Sequence, residues 1–286
     1  MRFRTVLPGL GLVVLAAIMF WAAGCSDEKS PISPINYGSL TDPDFIMVQD
    51  QVNDYLDSSM EYFSAGLGNI SKLPSDTGKI RNQYGPMNPE DTVAYAYLSG
   101  WHIVYVSRSN FRFTDRFMDS VQFMNNSEPI QNPAGLDYMH YIRHWNFANR
   151  DTTITHANLG GGIDLEFSGL DGNVATINGT KNLLAEWIYL SNDTTLRAFH
   201  DMDVRVNDVT VQKSPDYGWS SGCPTGGSVN MDINQSYILN VGAGPDLHVK
   251  AWQVTVTFND GVAAVRVISA GAVWSYTKTV CTPPSS

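Results

Sequence analysis

The sequence predicts a mainly β protein, a large antiparallel meander with one N-terminal amphipathic helix packed on it. Three observations favour this fold class. From Val93 almost to the C-terminus, apolar and polar residues alternate with a period of two, which is typical of strands with one buried face. The connections between these segments are short and rich in turn residues. No helical pattern of about 10 to 15 residues separates them, which excludes parallel strand–helix–strand units.

The helix is predicted over residues 42–67. Thr41-Asp42-Pro43 supplies a capping oxygen and a proline at the first helical position. Gly66 and Gly68 end the pattern, and residues 71–90 are expected to form a loop. The apolar residues that recur at helical spacing are Phe45, Val48, Val52, Tyr55, Leu56, Met60, Phe63 and Leu67. This stripe needs a hydrophobic surface to cover, and the sheet offers one.

Three segments give the clearest strands. Apolar residues alternate with polar ones over 163–168, 229–234 and 252–258. After the last of these, Asn259-Asp260-Gly261 predicts a tight hairpin turn into a partner strand through Val265 and Val267.

Further strands are predicted with less regular alternation. They cover residues 93–107, 111–123, 139–147, 174–180, 183–190 and 202–211. The phase changes at Asn207-Asp208, which indicates a β-bulge. Gly160-Gly161-Gly162 is interpreted as a flexible connection, and not as a phosphate-binding loop, because no helix follows it.

About ten strands in one open sheet would twist and curl. We therefore expect a barrel, a half-barrel or a sandwich, with the helix on the apolar face. Residues 41–286 would form this single β-rich domain. Residues 25–40 are rich in Ser and Pro and lack apolar periodicity, so they are predicted to be a flexible tether.

The N-terminus has the layout of a secretory signal. Arg2 and Arg4 precede an apolar run that ends at Trp21, and this run is shorter than the roughly 20 residues of a membrane-spanning helix. Small residues then lead to Cys25. Over residues 1–26 the chain resembles a bacterial lipoprotein precursor. The resemblance implies that residues 1–24 are a cleaved signal peptide and that Cys25 carries diacylglyceryl and N-acyl groups such as palmitate, which together anchor the chain to a membrane.

The same resemblance implies an extracytoplasmic location in the cell envelope. Ser26, rather than aspartate, follows the cysteine, which implies the outer membrane. The acidic pair Asp27-Glu28 also looks like a surface-export signal of some lineages. The alternative is an uncleaved N-terminal anchor, which would leave the body of the protein on the same side of the membrane.

The net charge argues against nucleic acid as a partner, and the cysteine content predicts a disulfide. The chain has 18 basic and 28 acidic residues and a net charge of −10, without a basic patch, so nucleic acid is not expected as a partner. With Cys25 lipidated, Cys223 and Cys281 remain as an even pair in an oxidising compartment, which predicts a disulfide. Its loop would contribute roughly 4 kcal/mol of stability. A zinc site is the alternative, but no histidine lies close to either cysteine in sequence.

One motif could indicate a hydrolase. Gly218-Trp219-Ser220-Ser221-Gly222 matches the G-x-S-x-G pattern, and His248 lies downstream. That mechanism needs a helix directly after the serine. Because Cys223-Pro224 follows, we interpret the motif as a loop and predict no catalytic residue.

Histidines and carboxylates do not predict a metal or catalytic site either. His140 and His144 share a strand face but lie about 13 Å apart, too far to bind one ion, although His102 and His200 could approach from other strands. Carboxylate pairs lie at separations comparable to those of glycosidases, but polar residues that alternate on a solvent-facing strand explain them without catalysis, and we favour that interpretation. These pairs are Asp201 and Asp203, Asp164 and Glu166, and Asp115 and Asp119. No cofactor is predicted.

Aromatic residues crowd the first predicted strands. Large rings fill a core, and they also line pockets for lipids or sugars. A core wrapped around the helix is one interpretation. The other is an apolar pocket lined by Trp101, Tyr105, Trp145 and Phe147.

These observations favour a membrane-anchored, non-catalytic binding or envelope-structural module whose partner is another envelope component. The first alternative is a carrier of apolar or lipid ligands in a half-barrel closed by the helix, by analogy with lipoprotein-transport half-barrels and lipocalin-like barrels. The second is a secreted hydrolase that uses Ser220.

Overall fold

The computed structural model describes residues 36–68, 91–110, 112–149, 155–191, 194–214, 218–241 and 245–281. The predicted signal peptide, Cys25 and the predicted loop over 71–90 lie outside these ranges. The described elements are β1 (Asn36–Tyr37), α1 (Pro43–Gly68), β2 (Thr92–Leu98), β3 (Trp101–Ser109), β4 (Phe113–Asn125), β5 (Glu128–Ile130), β6 (Tyr138–Asn149), β7 (Thr155–Ser168), β8 (Val174–Ser191), β9 (Thr194–Ser214), β10 (Gly218–Val241), β11 (Pro245–Asn259), β12 (Val262–Ser269) and β13 (Ala272–Thr279).

The strands form one sheet of 13 strands in the order β1-β13-β12-β11-β10-β9-β8-β7-β6-β4-β3-β2, with β5 paired to β4. Each strand from β2 to β13 is antiparallel to its neighbours, and only β1 runs parallel, to β13. The mainly β meander is therefore confirmed. Within the described ranges the sheet does not close on itself, because its order ends at β1 and β2.

Three of the predicted strands are divided differently in the structure. Residues 93–107 form a hairpin of β2 and β3, with a turn at Ser99-Gly100 where both residues have positive φ. Residues 174–180 and 183–190 form the single strand β8. The predicted ranges left Lys181 and Asn182 between two strands, but Lys181 lies on the face that the helix covers and the strand continues through it.

The predicted bulge and hairpin are both confirmed. Asp208 has φ +48°, and the pairing of β9 shifts register on both sides, near Gly179 and near Gly227. The turn between β11 and β12 has φ +44° at Asp260 and +79° at Gly261, as a two-residue turn of the primed type requires.

Residues at the end of the predicted tether are attached to the sheet. Asn36 and Tyr37 pair with Ala272 and Val273. The amide of Gly38 donates to the Val273 carbonyl at 3.0 Å. Strand β1 and its hydrogen bonds therefore fix the point at which the chain enters the sheet.

Helix α1 begins as the sequence predicts. The Asp42 carboxylate accepts a hydrogen bond from the amide of Asp44 at 2.9 Å, which is the geometry of an N-cap. One stripe of the helix is fully buried and consists of Phe45, Val48, Val52 and Leu56. The Phe45 ring stacks on Trp274 at 5.3 Å. Burial of each such side chain stabilises the fold by about 1.5–3 kcal/mol.

The core lies between α1 and one face of the sheet. A single cross-strand row of this face runs through Val204, Met231, Val254, Val267 and Trp274, all buried. The confirmed disulfide joins Cys223 to Cys281, with Cα atoms 5.9 Å apart. It links the beginning of β10 to the chain that follows β13.

Candidate functional site

The sheet has a second face, opposite α1, which we call the outer face. Cross-strand pairing places six residues in one row across it, which we call the site row: Tyr105, Met118, His144, Gly162, Asn182 and Asp203. The adjacent row on the same face contains Ile142, Asp164, Thr180 and Arg205. The two rows bring residues of six strands together that are far apart in sequence.

A groove of about 530 Å³ opens between these two rows. Its polar walls come from β6, β7, β8 and β9, and Ile142 adds an apolar patch. The polar side chains that line it are His144, Asp164, Thr180, Asn182, Asp203 and Arg205. The lining combines two carboxylates with a guanidinium, an amide, an imidazole and a hydroxyl, so it offers both donors and acceptors.

Gly162 forms part of the floor of the groove. A Cβ atom at this position would lie 2.9 Å from Oδ1 of Asn182 and 3.4 Å from Nδ1 of His144. These two polar atoms therefore border the space that the missing side chain leaves. A signal for this strand is present in the sequence, because Leu159, Gly161 and Ile163 keep the period of two through the three glycines. The interpretation of 160–162 as a flexible connection is wrong, since all three residues lie within β7.

Asp164 is held at one edge of the groove. Its Oδ1 atom lies 2.6 Å from Nε2 of His140, while 57% of its side chain remains exposed. The His140 ring also packs against Trp101, with ring centroids 5.1 Å apart. Tyr105, at the end of the site row, is 37% exposed. The two aromatic rings, Trp101 and Tyr105, therefore lie on the outer face in β3, and strand β4 separates them from the groove wall in β6.

The four residues of the predicted apolar pocket do not share a face. Trp101 and Tyr105 lie on the outer face, in the rows of His140 and His144. Trp145 packs against the core on the opposite face, and Phe147 follows it on that face. The structure therefore does not bring these rings together. The pleat alternates sides within each strand, but only the cross-strand register fixes which residues of two strands face the same way.

Ser220 is followed by a strand, whereas the G-x-S-x-G mechanism needs a helix at that point. Strand β10 continues from Gly218 to Val241, so a strand and not a helix follows the serine. His248 pairs with Tyr237, near the opposite end of β10. Its Nε2 atom lies 2.8 Å from a carboxylate oxygen of Asp246. The G-x-S-x-G motif is part of an irregular strand.

Three further candidate residues, Asp115, Asp119 and His200, lie on the face of the sheet that carries the core. Asp119 accepts two hydrogen bonds from Arg143, at 2.5 and 2.6 Å, and Asp115 pairs with Arg108. Burial lowers the pKa of His200, against the opposing charge of Asp201. Among the described residues, no group of three or more His, Cys, Asp or Glu side chains could hold a metal ion.

Lys181 is a partly buried cation on the face of the sheet that α1 covers. Its Nζ atom lies 4.7 Å from the centre of the Tyr55 ring on α1. Burial lowers the pKa of Lys181 to about 8. Nearby, Gln235 of β10 donates a hydrogen bond to the side chain of Gln51 at 2.6 Å. Polar contacts thus help to fix the helix on the sheet.

Comparison of the chain with protein-family models, with curated protein sequences and with solved structures finds no match. Helix α1 is the single helix in the described part of the chain, and it lacks the combined length and apolar character of a membrane span.

Proposed function

We propose that this chain is a lipid-anchored binding module of the bacterial cell envelope, and that the groove over Gly162 binds a hydroxyl-rich ligand of the saccharide class. The groove is the observation that carries the proposal. Polar groups from four strands converge on a solvent-open volume of about 530 Å³, and Trp101 and Tyr105 lie on the same face of the sheet in β3.

The chemistry of the lining favours a saccharide over an apolar ligand. Sugar hydroxyls both donate and accept hydrogen bonds. The same groove contains an acceptor in Asp203, a donor in Arg205, and both in the amide of Asn182. Aromatic rings such as Tyr105 present an apolar surface for the C–H face of a sugar ring. An apolar ligand in this groove would strip water from these charged groups without replacing their hydrogen bonds.

The apolar-carrier alternative needs a cavity between α1 and the sheet. The described half of α1 packs tightly there, with Phe45, Val48, Val52 and Leu56 fully buried. Nothing in these contacts favours a ligand-sized apolar space. The groove on the outer face therefore supports a binding module better than a carrier.

The saccharide proposal is tested by filling the groove. We expect purified protein to bind envelope-derived glycans on an array and in titration calorimetry. Gly162→Ala should weaken binding at least tenfold, because the added methyl group lies between Asn182 and His144. Asn182→Ala should act in the same direction. Asn234→Ala is the matched control, since Asn234 is also exposed on the outer face but does not line the groove. The proposal would be contradicted if Gly162→Ala and Asn182→Ala bound the glycan with the same affinity as the Asn234→Ala control.

The anchor is tested separately. We expect cells that are fed an alkyne-tagged palmitate to label the wild-type chain and not a Cys25→Ala variant. Mass spectrometry of the mature N-terminus should show an acylated Cys25. A mature chain with an unmodified Cys25 would contradict the proposed lipid anchor but would not bear on the proposed saccharide site.

A further inference from the structure

Two neighbouring hairpins, β8–β9 and β10–β11, extend past the turn between β12 and β13. Register places the end of β12 beside Ala251 of β11, where Ser269 donates a hydrogen bond to the Ala251 carbonyl at 2.7 Å. Ala251 pairs with Asn234, yet β10 continues from Asn234 to Val241. That extension measures about 23 Å at about 3.3 Å per residue. We call the four strand ends beyond this level, residues 184–191, 194–201, 234–241 and 245–251, the end ribbon.

The outer face becomes richer in apolar residues in the end ribbon, where they lie among Glu186, Arg197, Asp201 and Ser236. Farther along the same strands this face carries Asn230, Asp232, Thr255 and Thr257. In the end ribbon it carries Leu184, Ile188, Phe199, Ile238, Leu247 and Val249. Leu184, Leu247 and Val249 are 59%, 61% and 68% exposed.

The helix side of the end ribbon is also open. Helix α1 begins at the level of Lys250, which forms an ion pair with Asp44 in the first turn of the helix. Beyond that level Tyr237 is 40% exposed, and Leu196 and Leu239 are partly exposed. A ribbon with apolar side chains on both faces does not form a core of its own, and exposed apolar patches of this kind indicate an interaction surface.

Few unpaired charges oppose burial of this ribbon. Arg197 forms an ion pair with Glu186 and lies over the Phe199 ring at 4.6 Å. His248 bonds to Asp246 at 2.8 Å and stacks on Tyr237. The charges of Glu186 and Arg197 are thus matched within the ribbon. Asp201 lies at the border of the ribbon opposite Asn234, and Asp246 is an exposed carboxylate, which suits the polar headgroup region and not the hydrocarbon.

The direction of β1 relates the end ribbon to the N-terminus. Strand β13 runs away from the β12–β13 turn, and β1 runs parallel to it. The chain therefore enters β1 at Asn36 from the side of the sheet that carries the end ribbon. The segment from Cys25 to Asn36 can span at most about 38 Å when fully extended. This reach exceeds the length of about 23 Å by which the ribbon projects.

We propose that the end ribbon docks on the lipid bilayer to which Cys25 is attached, with the apolar side chains of both faces among the lipid headgroups. This inference rests on the proposed lipid anchor. Insertion is shallow, because β11 has no strand paired to its outer edge beyond Gln253 within the described ranges. Unpaired backbone groups of such an edge are not stable in the hydrocarbon region.

The test uses the full-length, lipid-modified chain in vesicles of phosphatidylethanolamine and phosphatidylglycerol. One nitroxide label is placed on Leu247→Cys and another on Thr257→Cys. Both positions are exposed on the outer face of β11, at opposite ends of the strand. Cys223 and Cys281 do not compete for the label because they form a disulfide. Relaxation measurements then compare collisions with oxygen, which partitions into lipid, and with a water-soluble nickel complex.

We expect the label at position 247 to collide at least threefold less with nickel, and more with oxygen, than the label at position 257. Equal nickel collisions at both positions on an acylated chain would overturn the docking but keep the anchor. Shielding from both reagents at 247 would indicate contact with protein and would also overturn it. An unmodified Cys25, seen by mass spectrometry of the same sample, would overturn the proposed anchor itself. Unchanged circular-dichroism melting curves of both variants would show that the labels do not disturb the fold.

Discussion

At the residue scale, two adjacent glycines of β7 serve opposite faces of the sheet. Gly162 leaves room for the groove on the outer face. Gly161 faces the helix side, where a Cβ atom would clash with the backbone oxygen of Asn182 and lie 2.7 Å from Cη2 of Trp145. The Trp145 ring therefore packs directly on the strand, and the missing side chain is what admits it.

Gly161→Ala should destabilise the protein by about 1–3 kcal/mol, because the added methyl group overpacks the site against backbone that cannot move freely. Urea unfolding followed by circular dichroism measures the effect. Gly160→Ala is the matched control. A Cβ there meets nothing closer than 3.5 Å, so we expect stability to be unchanged or slightly higher. Comparable losses in the two variants would contradict the role given to Gly161.

Lys181 predicts a dependence of stability on pH. Burial lowers its pKa from 10.5 to about 8, so between these values the unfolded chain binds more protons than the folded one. Stability should therefore rise as the pH is raised from 7 to 9.5, by about 1–3 kcal/mol from this group. Lys181→Met should remove most of the rise and stabilise the protein at pH 7. Urea midpoints at both pH values measure this, and parallel pH curves for the two proteins would contradict it.

At the scale of elements, helix α1 is fixed by one buried stripe and by polar contacts at its rim. Phe45 is fully buried between Trp274 and Tyr276, with ring centroids 5.3 and 6.2 Å away. At the rim, Lys278 donates to the Asn53 carbonyl at 3.0 Å and pairs with Asp57 at 2.8 Å. Exposed ion pairs add little stability, so the stripe dominates.

Phe45→Ala should cost about 3–5 kcal/mol, because it removes a large side chain from a closed site and leaves a cavity. Ile46→Ala, one residue later, should cost well under 1 kcal/mol, because Ile46 is 42% exposed. Thermal melting of the two variants gives the comparison. Similar melting temperatures of the two variants would contradict the conclusion that the buried stripe stabilises the packing of α1 on the sheet.

At the scale of the whole molecule, the disulfide joins parts of the chain 58 residues apart. Cys223 lies at the irregular beginning of β10, where the pairing with β9 shifts register three times before Ser228. Cys281 follows β13, and its amide donates to the Gly261 carbonyl in the β11–β12 turn. The bond therefore secures the least regular end of the long strands.

Replacement of both cysteines by alanine should lower stability by roughly 4 kcal/mol, since the unfolded chain regains the entropy of the open loop. Guanidinium unfolding of the double variant, and of wild-type protein with and without a reductant, measures the loss. Wild-type protein whose stability does not change under reduction would contradict the assignment.

The fold class and many local features follow from the sequence alone. Alternation identified the strands through Phe167, Ile233 and Phe258, because a pleated strand puts every second side chain in the core. Local chemistry located the N-cap at Asp42, the turn at Asp260 and the bulge at Asp208, because each depends on only a few neighbouring residues. The disulfide between Cys223 and Cys281 followed from the number of cysteines, because these two remain once Cys25 is assigned to the lipid. The lipid anchor and the envelope location stay predictions of the N-terminal residues.

Which side chains are neighbours across the sheet could be read only from the tertiary structure. Cross-strand register separated Trp101 from Trp145 and gathered His144, Asn182 and Asp203 around Gly162, because a shift of one residue moves every side chain to the other face. Strand lengths also depend on the tertiary structure. Strand β8 continues through Lys181, whose side chain is covered by Tyr55 of α1. A pattern along one strand fixes which residues alternate, but the partners of each residue depend on pairings between distant segments.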